Sequence, residues 1–260
     1  MSNTGFNQVF DSFGTMGFGN GFSYTLSSSS PPPVTSSLIL DYDFSNVSCY
    51  LGSGSAVTDL VGNSNATLYN GPTYSSGYLV FDGTNDALIT NTSLASKVTS
   101  DITSISMWAY PMDNGVLLSE IGSHALPSAA GWHNATMEMV AGTMKFGMWN
   151  GGSITISSVT STIATPLNNW YHFTIVYDGT TLRGYVNGAA AGTNTFSRTN
   201  PGEGGAGIHY AIAAADITNM GDGTYASMRL GELKVYNTAM SAAEVSSSYE
   251  DTKSKWPNPP

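Results

Sequence analysis

The chain has 260 residues, enough for one large domain or one domain with an appendage, and long enough to bury a core without a disulfide or metal staple. Charged residues make up only 10%, and 18 Asp and Glu against 8 Lys and Arg leave a formal net charge of −10. That balance argues against nucleic-acid binding and against an anionic membrane, both of which need cations to meet phosphates. No apolar run approaches the ~18 residues of a bilayer span, so membrane insertion is not expected, and the lone Cys49 leaves no intrachain disulfide and no cysteine-based zinc site.

Residues 1–26 hold Phe6, Phe10, Phe13, Phe18, Phe22 and Tyr24 among glycines, with Asp11 the one charge. Phe6, Val9, Phe10 and Phe13 fit one face of a short helix; Gly14, Gly17, Gly19 and Gly21 oppose its continuation. With no basic start and no apolar stretch, the segment does not read as a secretory signal. Its Gly and Ser favour a solvated tail. Its five Phe argue otherwise, since each hides about 1.5–3 kcal/mol on burial and disordered segments usually lack aromatics. The expectation is an extended arm whose Phe6, Phe10, Phe13, Phe18 and Phe22 anchor the chain on other protein subunits. Residues 27–37, four serines followed by three prolines, read as a flexible joint and a stiff spacer.

Residues 38–252 read as β. Short alternating or apolar runs recur between Asn-Gly, Asp-Gly, Gly-Gly and Gly-Pro turn signals: 38–44, 66–69, 78–81, 87–90, 103–110, 116–121, 136–140, 143–149, 153–159, 170–177, 181–186, 208–213 and 228–236. Ala141-Gly142 and Asp178-Gly179 mark two hairpins. Ser241-Ala242-Ala243-Glu244 is a capping-box pattern that opens one short helix, with Val245 and Tyr249 on one face and an end near Asp251. Such a helix is expected to be a surface clip, and residues 253–260 a polar tail. The fold class expected is all-β: a two-sheet antiparallel jelly-roll sandwich, one short C-terminal helix and the N-terminal arm.

Strand parity divides the side chains. Met137, Met139, Met144, Phe146 and Met148 fall on an apolar face; Glu138, Lys145, Trp149, His172, Arg183 and Tyr185 fall on the other. Aromatic rings beside polar groups suit a sugar, so those six, with Trp132 and His133 in a Gly-rich loop, are the candidate glycan-binding residues. Solvated surface or a protein interface would explain the same face. Asp216, Asn219 and Asp222 place oxygen ligands at short spacing in an irregular loop, a candidate calcium site; Asp82, Asn85 and Asp86 read as an Asp-Gly turn or a second one. Glycoside hydrolysis needs two carboxylates across a cleft. The nearest candidates are Asp41 with Asp43, and the isolated Glu120 and Glu138, so no enzyme is expected.

Five stretches resemble laminin-G-like, pentraxin-like domains of the concanavalin A-like lectin/glucanase superfamily: Asp59–Pro72 (DLVGNSNATLYNGP), Val80–Asp86 (VFDGTND), Ser104–Pro111 (SISMWAYP), Trp170–Gly188 (WYHFTIVYDGTTLRGYVNG) and Leu230–Val245 (LGELKVYNTAMSAAEV). They occur in the family's order across roughly residues 38–250, and the resemblance implies the jelly-roll fold. Gly231 stands where relatives usually carry an Asp near their calcium site, which puts calcium in doubt. The layout also resembles virion-associated proteins of large DNA viruses and tailed phages. That resemblance implies a non-enzymatic structural or adhesion protein with a lectin-like head tethered by its arm, located in a virion and contacting cell-surface glycans. A free, extracellular carbohydrate-binding module is the alternative, and a glycoside hydrolase comes after both.

Overall fold

The computed structural model describes residues 37–98, 101–122, 136–150, 156–198, 207–214 and 225–256. The chain divides into two units, Met1–Ser30 and Pro31–Pro260. The expected arm and its Phe anchors lie outside the described residues.

In chain order the strands are β1 (Leu38–Asp43), β2 (Ala56–Val57), β3 (Ala66–Tyr69), β4 (Thr73–Ser75), β5 (Tyr78–Asp82), β6 (Ala87–Thr90), β7 (Thr103–Pro111), β8 (Gly115–Ile121), β9 (Thr136–Val140), β10 (Thr143–Trp149), β11 (Ile156–Thr160), β12 (Tyr171–Tyr177), β13 (Thr181–Val186), β14 (Ala189–Thr195), β15 (His209–Ile212) and β16 (Ser227–Tyr236), followed by helix α1 (Ala242–Thr252). They form two eight-stranded sheets. The first runs β14-β13-β12-β7-β16-β5-β4, with β1 also on β16; the second runs β11-β10-β9-β8-β15-β6-β3-β2. Every pairing is antiparallel. The all-β sandwich with one short helix is therefore the observed fold.

Local chemistry sets the turns. Ala141 (φ 49°) and Gly142 (φ 72°) join β9 to β10, and Asn187 (φ 51°) and Gly188 (φ 77°) join β13 to β14. Two consecutive positive φ values give the turn whose twist matches the flanking strands. Between β12 and β13, the Asp178 carboxylate accepts from the Thr180 and Thr181 amides at 3.0 and 2.8 Å. In the loop before β3, the buried Asp59 carboxylate accepts four backbone N–H groups, from Asp41, Val61, Asn63 and Ser64, at 2.7–3.0 Å.

The Met-rich face lies in the core. Phe146 of the second sheet meets Phe173 of the first edge-on, with ring centroids 6.4 Å apart. A Cβ on Gly184 would come within 2.2 Å of the Phe146 ring, so only glycine admits that ring there.

At the C-terminus, Ser241 caps α1. Its side chain accepts from the Glu244 amide at 3.3 Å, and the Glu244 carboxylate accepts from the Ser241 amide at 2.7 Å. Ser241→Ala is expected to lower stability by about 1 kcal/mol, read as a shift of the urea midpoint with unchanged slope.

The helix is more than the expected clip, and residues 253–256 are not a tail. A 3-10 turn (Lys253–Lys255) continues it, and Trp256 is buried. Helix, turn and Trp256 make a strap across the outer face of the first sheet. The Trp108 indole donates to the Thr252 hydroxyl at 2.8 Å and stacks on Tyr249 at 5.7 Å. Trp256 packs on Trp170 at 4.9 Å. Gly231 makes room for it, since a Cβ there would lie 2.5 Å from the Trp256 ring. Gly231 also sits at the bulge where β16 changes partner, from β5 along Ser227–Leu230 to β1 along Glu232–Tyr236.

Candidate glycan-binding face

The six side chains expected on one polar face are split between the two sheets. Glu138 (β9) and Lys145 (β10) belong to the second sheet, opposite one another in register, and form a half-exposed ion pair at 3.9 Å. Trp149, also on β10, is buried, and its carbonyl accepts from Arg198 Nε at 2.9 Å. His172 (β12), Arg183 and Tyr185 (β13) belong to the first sheet. Arg183 is committed to Asp178 at 2.6 Å. His172 is fully buried beside Trp108 and Tyr249, and Tyr185 is buried with Val176, Tyr236, Met240 and Val245. Parity could not say that β9–β10 and β12–β13 lie in different sheets, nor that the strap roofs the outer side of one. Trp132, His133, Asp216, Asn219 and Asp222 lie outside the described residues. Among the described residues no group of three or more His, Cys, Asp or Glu could hold a metal.

Glu120 is buried and receives the Tyr210 hydroxyl at 3.5 Å, while Glu138 is at the surface with Lys145. Asp41 and Asp43 share the outer side of β1 and pair in register with Lys234 and Glu232. Glu232, buried, binds Lys234 at 2.8 Å and Lys255 at 3.2 Å; Lys255 also reaches Asp43 at 2.7 Å. Burial raises the Asp41 carboxyl to about 6, against the opposing pull of Lys234. Burial would raise Asp43 too, but hydrogen bonds from Lys255 and Ser45 hold it below the usual range. Divergent carboxyls are a pattern used for acid–base work. Here Lys255 of the strap sits on two of the three, and the cluster latches the strap to β1. Asp82 and Asp86 serve their turn: Asp82 accepts from the Thr84 amide at 2.7 Å, and Asp86 from the Asp82 amide at 3.1 Å.

Beyond the strap, the same face carries a shelf of half-buried side chains that sequence reasoning missed. One register row runs Tyr110 (β7), Arg229 (β16), Val80 (β5) and Thr73 (β4), with Tyr78 beside it on β5. The Arg229 guanidinium lies 4.4 Å from the Tyr110 ring centroid and 5.4 Å from that of Tyr78. Trp170 meets both rings edge-on from behind, at 5.7 and 5.5 Å, and is itself backed by Trp256. Tyr78, Tyr110 and Arg229 are partly exposed, and among the described residues neither phenol and no guanidinium N–H has a hydrogen-bond partner. Outward parity was legible for each residue, but their meeting depends on β16 lying between β7 and β5, which no local signal encodes.

A family model, Laminin_G_3 of the concanavalin A-like lectin/glucanases superfamily, matches residues 81–246. No curated protein matches the chain in sequence. Among solved structures it resembles a Trypanosoma rangeli sialidase in complex with sialic acid, with a TM-score of 0.64 and 13% identity over 89% of this chain and 35% of the sialidase. It also resembles a botulinum neurotoxin serotype D binding domain (TM-score 0.59, 11% identity, 83% of this chain, 52% of that one) and the receptor binding domain of a botulinum neurotoxin C/D mosaic serotype (TM-score 0.61, 13% identity, 87% and 55%). The chain thus spans about a third of the sialidase and about half of the toxin domains. At these identities the likeness concerns the fold. None of these is a virion protein, so the viral resemblance of the layout gains no support from them. The sandwich and the ordered motifs across it agree with the family match: the chain belongs to the Laminin_G_3 family of the concanavalin A-like lectin/glucanases superfamily.

Proposed function

We propose that this chain is a non-catalytic, lectin-like adhesion module that binds glycans at the Tyr78–Tyr110–Arg229 shelf. The observation that carries this is the shelf itself: partly exposed rings, with two phenols and a guanidinium that have no hydrogen-bond partner among the described residues, packed against Trp170. Sugars present C–H faces that pack on aromatic surface and hydroxyls that need donors and acceptors, and a binding site is a largely apolar surface with a few fixed polar groups. The fold supports the reading, as do the neighbours whose names carry sialic acid and receptor binding. The carboxylates support a non-catalytic role, since Glu120 and Glu138 are far apart in environment and Asp43 and Glu232 are tied to lysines.

The test is a broad glycan array with the full chain, run with and without calcium. Binding is expected to fall at least tenfold in Tyr110→Ala, the loss of one stacking ring and one phenol, while the thermal melt still shows a folded protein. Silence across the array in both conditions would remove the reading.

A further inference from the structure

We infer that Arg229 makes the shelf a receptor for carboxylate-bearing sugars, so that an acidic residue of the glycan, not a neutral one, docks there. This rests on the glycan-binding reading and narrows it to a ligand class.

Charge bookkeeping leads to Arg229. All eight Lys and Arg lie among the described residues. Lys145, Arg183, Arg198, Lys234, Lys253 and Lys255 each pair with a carboxylate. Lys97 is exposed at a turn. Arg229 is half-buried, in a chain of net charge −10, and no carboxylate among the described residues meets it. Of the neighbouring rows on the same side, one holds Asp82, whose carboxylate accepts from the Thr84 and Asn85 amides, and the other holds Glu232 and Asp43, already occupied by Lys234 and Lys255.

Its contacts say how it would act. Arg229 lies over the rings of Tyr110 and Tyr78, which attract the cation through their π faces and supply no counter-charge. The five N–H donors lie in the guanidinium plane, in a fork that matches a carboxylate's two oxygens. The rings hold the guanidinium at the shelf, and among the described residues its N–H donors have no hydrogen-bond partner. A half-buried cation without a counter-charge is costly, and a bidentate carboxylate relieves that cost where a neutral hydroxyl does not. The phenols of Tyr78 and Tyr110 flank the position and can meet neighbouring sugar hydroxyls.

The experiment compares matched probes on the full chain: glycans ending in sialic or glucuronic acid, and the same glycans with the carboxyl reduced to the alcohol. The acidic member is expected to bind about tenfold to a hundredfold tighter, the contribution of a charge-assisted hydrogen-bonded pair. That preference is expected to shrink as salt rises. Arg229→Gln is expected to bring the acidic probe down to the level of its reduced partner, and Arg229→Lys to restore part of the difference. Equal binding of the two probes by the unmodified chain overturns the inference and leaves the glycan reading standing, as does a preference that survives in Arg229→Gln. Binding of neither probe type, nor of any glycan on the array, removes both. The salt dependence needs no variant, so a misfolded Arg229→Gln does not block the decision.

Discussion

Trp256→Ala is expected to cost about 3–5 kcal/mol, the usual range for emptying a buried tryptophan site, and to release the strap from the first sheet. Trp256 is 3% exposed, four residues beyond the end of α1. Its ring packs on Trp170 at 4.9 Å, approaches Trp108 at 6.3 Å and fills the space over Gly231. None of these neighbours can move in to close the hole, because Trp108 is held by β7 and Tyr249, and Trp170, just before β12, by Tyr78 and Tyr110. The loss should appear as a lower denaturant midpoint and as faster amide exchange in α1 than in β7 or β16. Trp256→Phe should lose much less, since the buried indole N–H has no hydrogen-bond partner among the described residues and its removal breaks no hydrogen bond with them. A change below about 1 kcal/mol in Trp256→Ala would mean that the strap is held by its ion pairs to Asp43 and Glu232 and not by its packing. The binding shelf is coupled to this: Trp170, which supports Tyr78 and Tyr110, rests on Trp256.

How much of this was legible in the sequence depended on the range of the interaction involved. Each long strand came from its own alternation, and each hairpin from a residue pair that accepts positive φ. β14 escaped because Ala189–Thr195 has no large alternating side chains; it is a strand because Asn187–Gly188 turns it back onto β13. β2 and β4 are two and three residues long, too short to show a period. The capping box was readable, but its consequence was not. A helix of modest amphipathicity looked dispensable until Trp256, read as tail, was found locking it over Gly231.

The site was less legible for a related reason. Alternation says which residues of a strand share a side, but membership of a sheet is a long-range fact. His172 and Trp149 look equivalent by parity, yet they belong to different sheets, and His172 lies under α1. Conversely Tyr78, Tyr110 and Arg229 are far apart in sequence and meet because β16 is paired on one side with β7 and on the other with β5. Gly231, where relatives usually carry an Asp, admits the Trp256 ring that a side chain would exclude.

His172 is expected to make the fold acid-sensitive, and a non-titrating replacement to remove that sensitivity. The residue is fully buried beside the stacked Trp108 and Tyr249, with Thr174 on its own strand and Lys234 nearby; among the described residues neither ring nitrogen has a hydrogen-bond partner. Burial, with the charge of Lys234 adding to it, holds its imidazole down to about 3. The unfolded chain takes up a proton below about pH 6.5, and the folded chain does not until about pH 3. The stability from a neutral His172 is therefore fully present above pH 6.5 and drains away as pH falls, at ~1.4 kcal/mol per pH unit, or about 2 kcal/mol by pH 5. Asp41 has the opposite sign. Its carboxyl is raised by burial to about 6, so its contribution is present below pH 4 and lost as pH rises through 6. Over pH 4–6 the two oppose each other, so the profile of the unmodified protein alone does not isolate either. The diagnostic is a difference. Urea unfolding of His172→Phe and His172→Asn, each relative to the unmodified protein, should show stability shifting in the variant's favour by about 2 kcal/mol between pH 7 and pH 5. The size of the offset at pH 7 reflects how well each side chain packs against Trp108; its change with pH does not. A pH-independent difference in both variants would mean that the imidazole binds its proton equally well folded and unfolded, and so is not sealed beneath the strap.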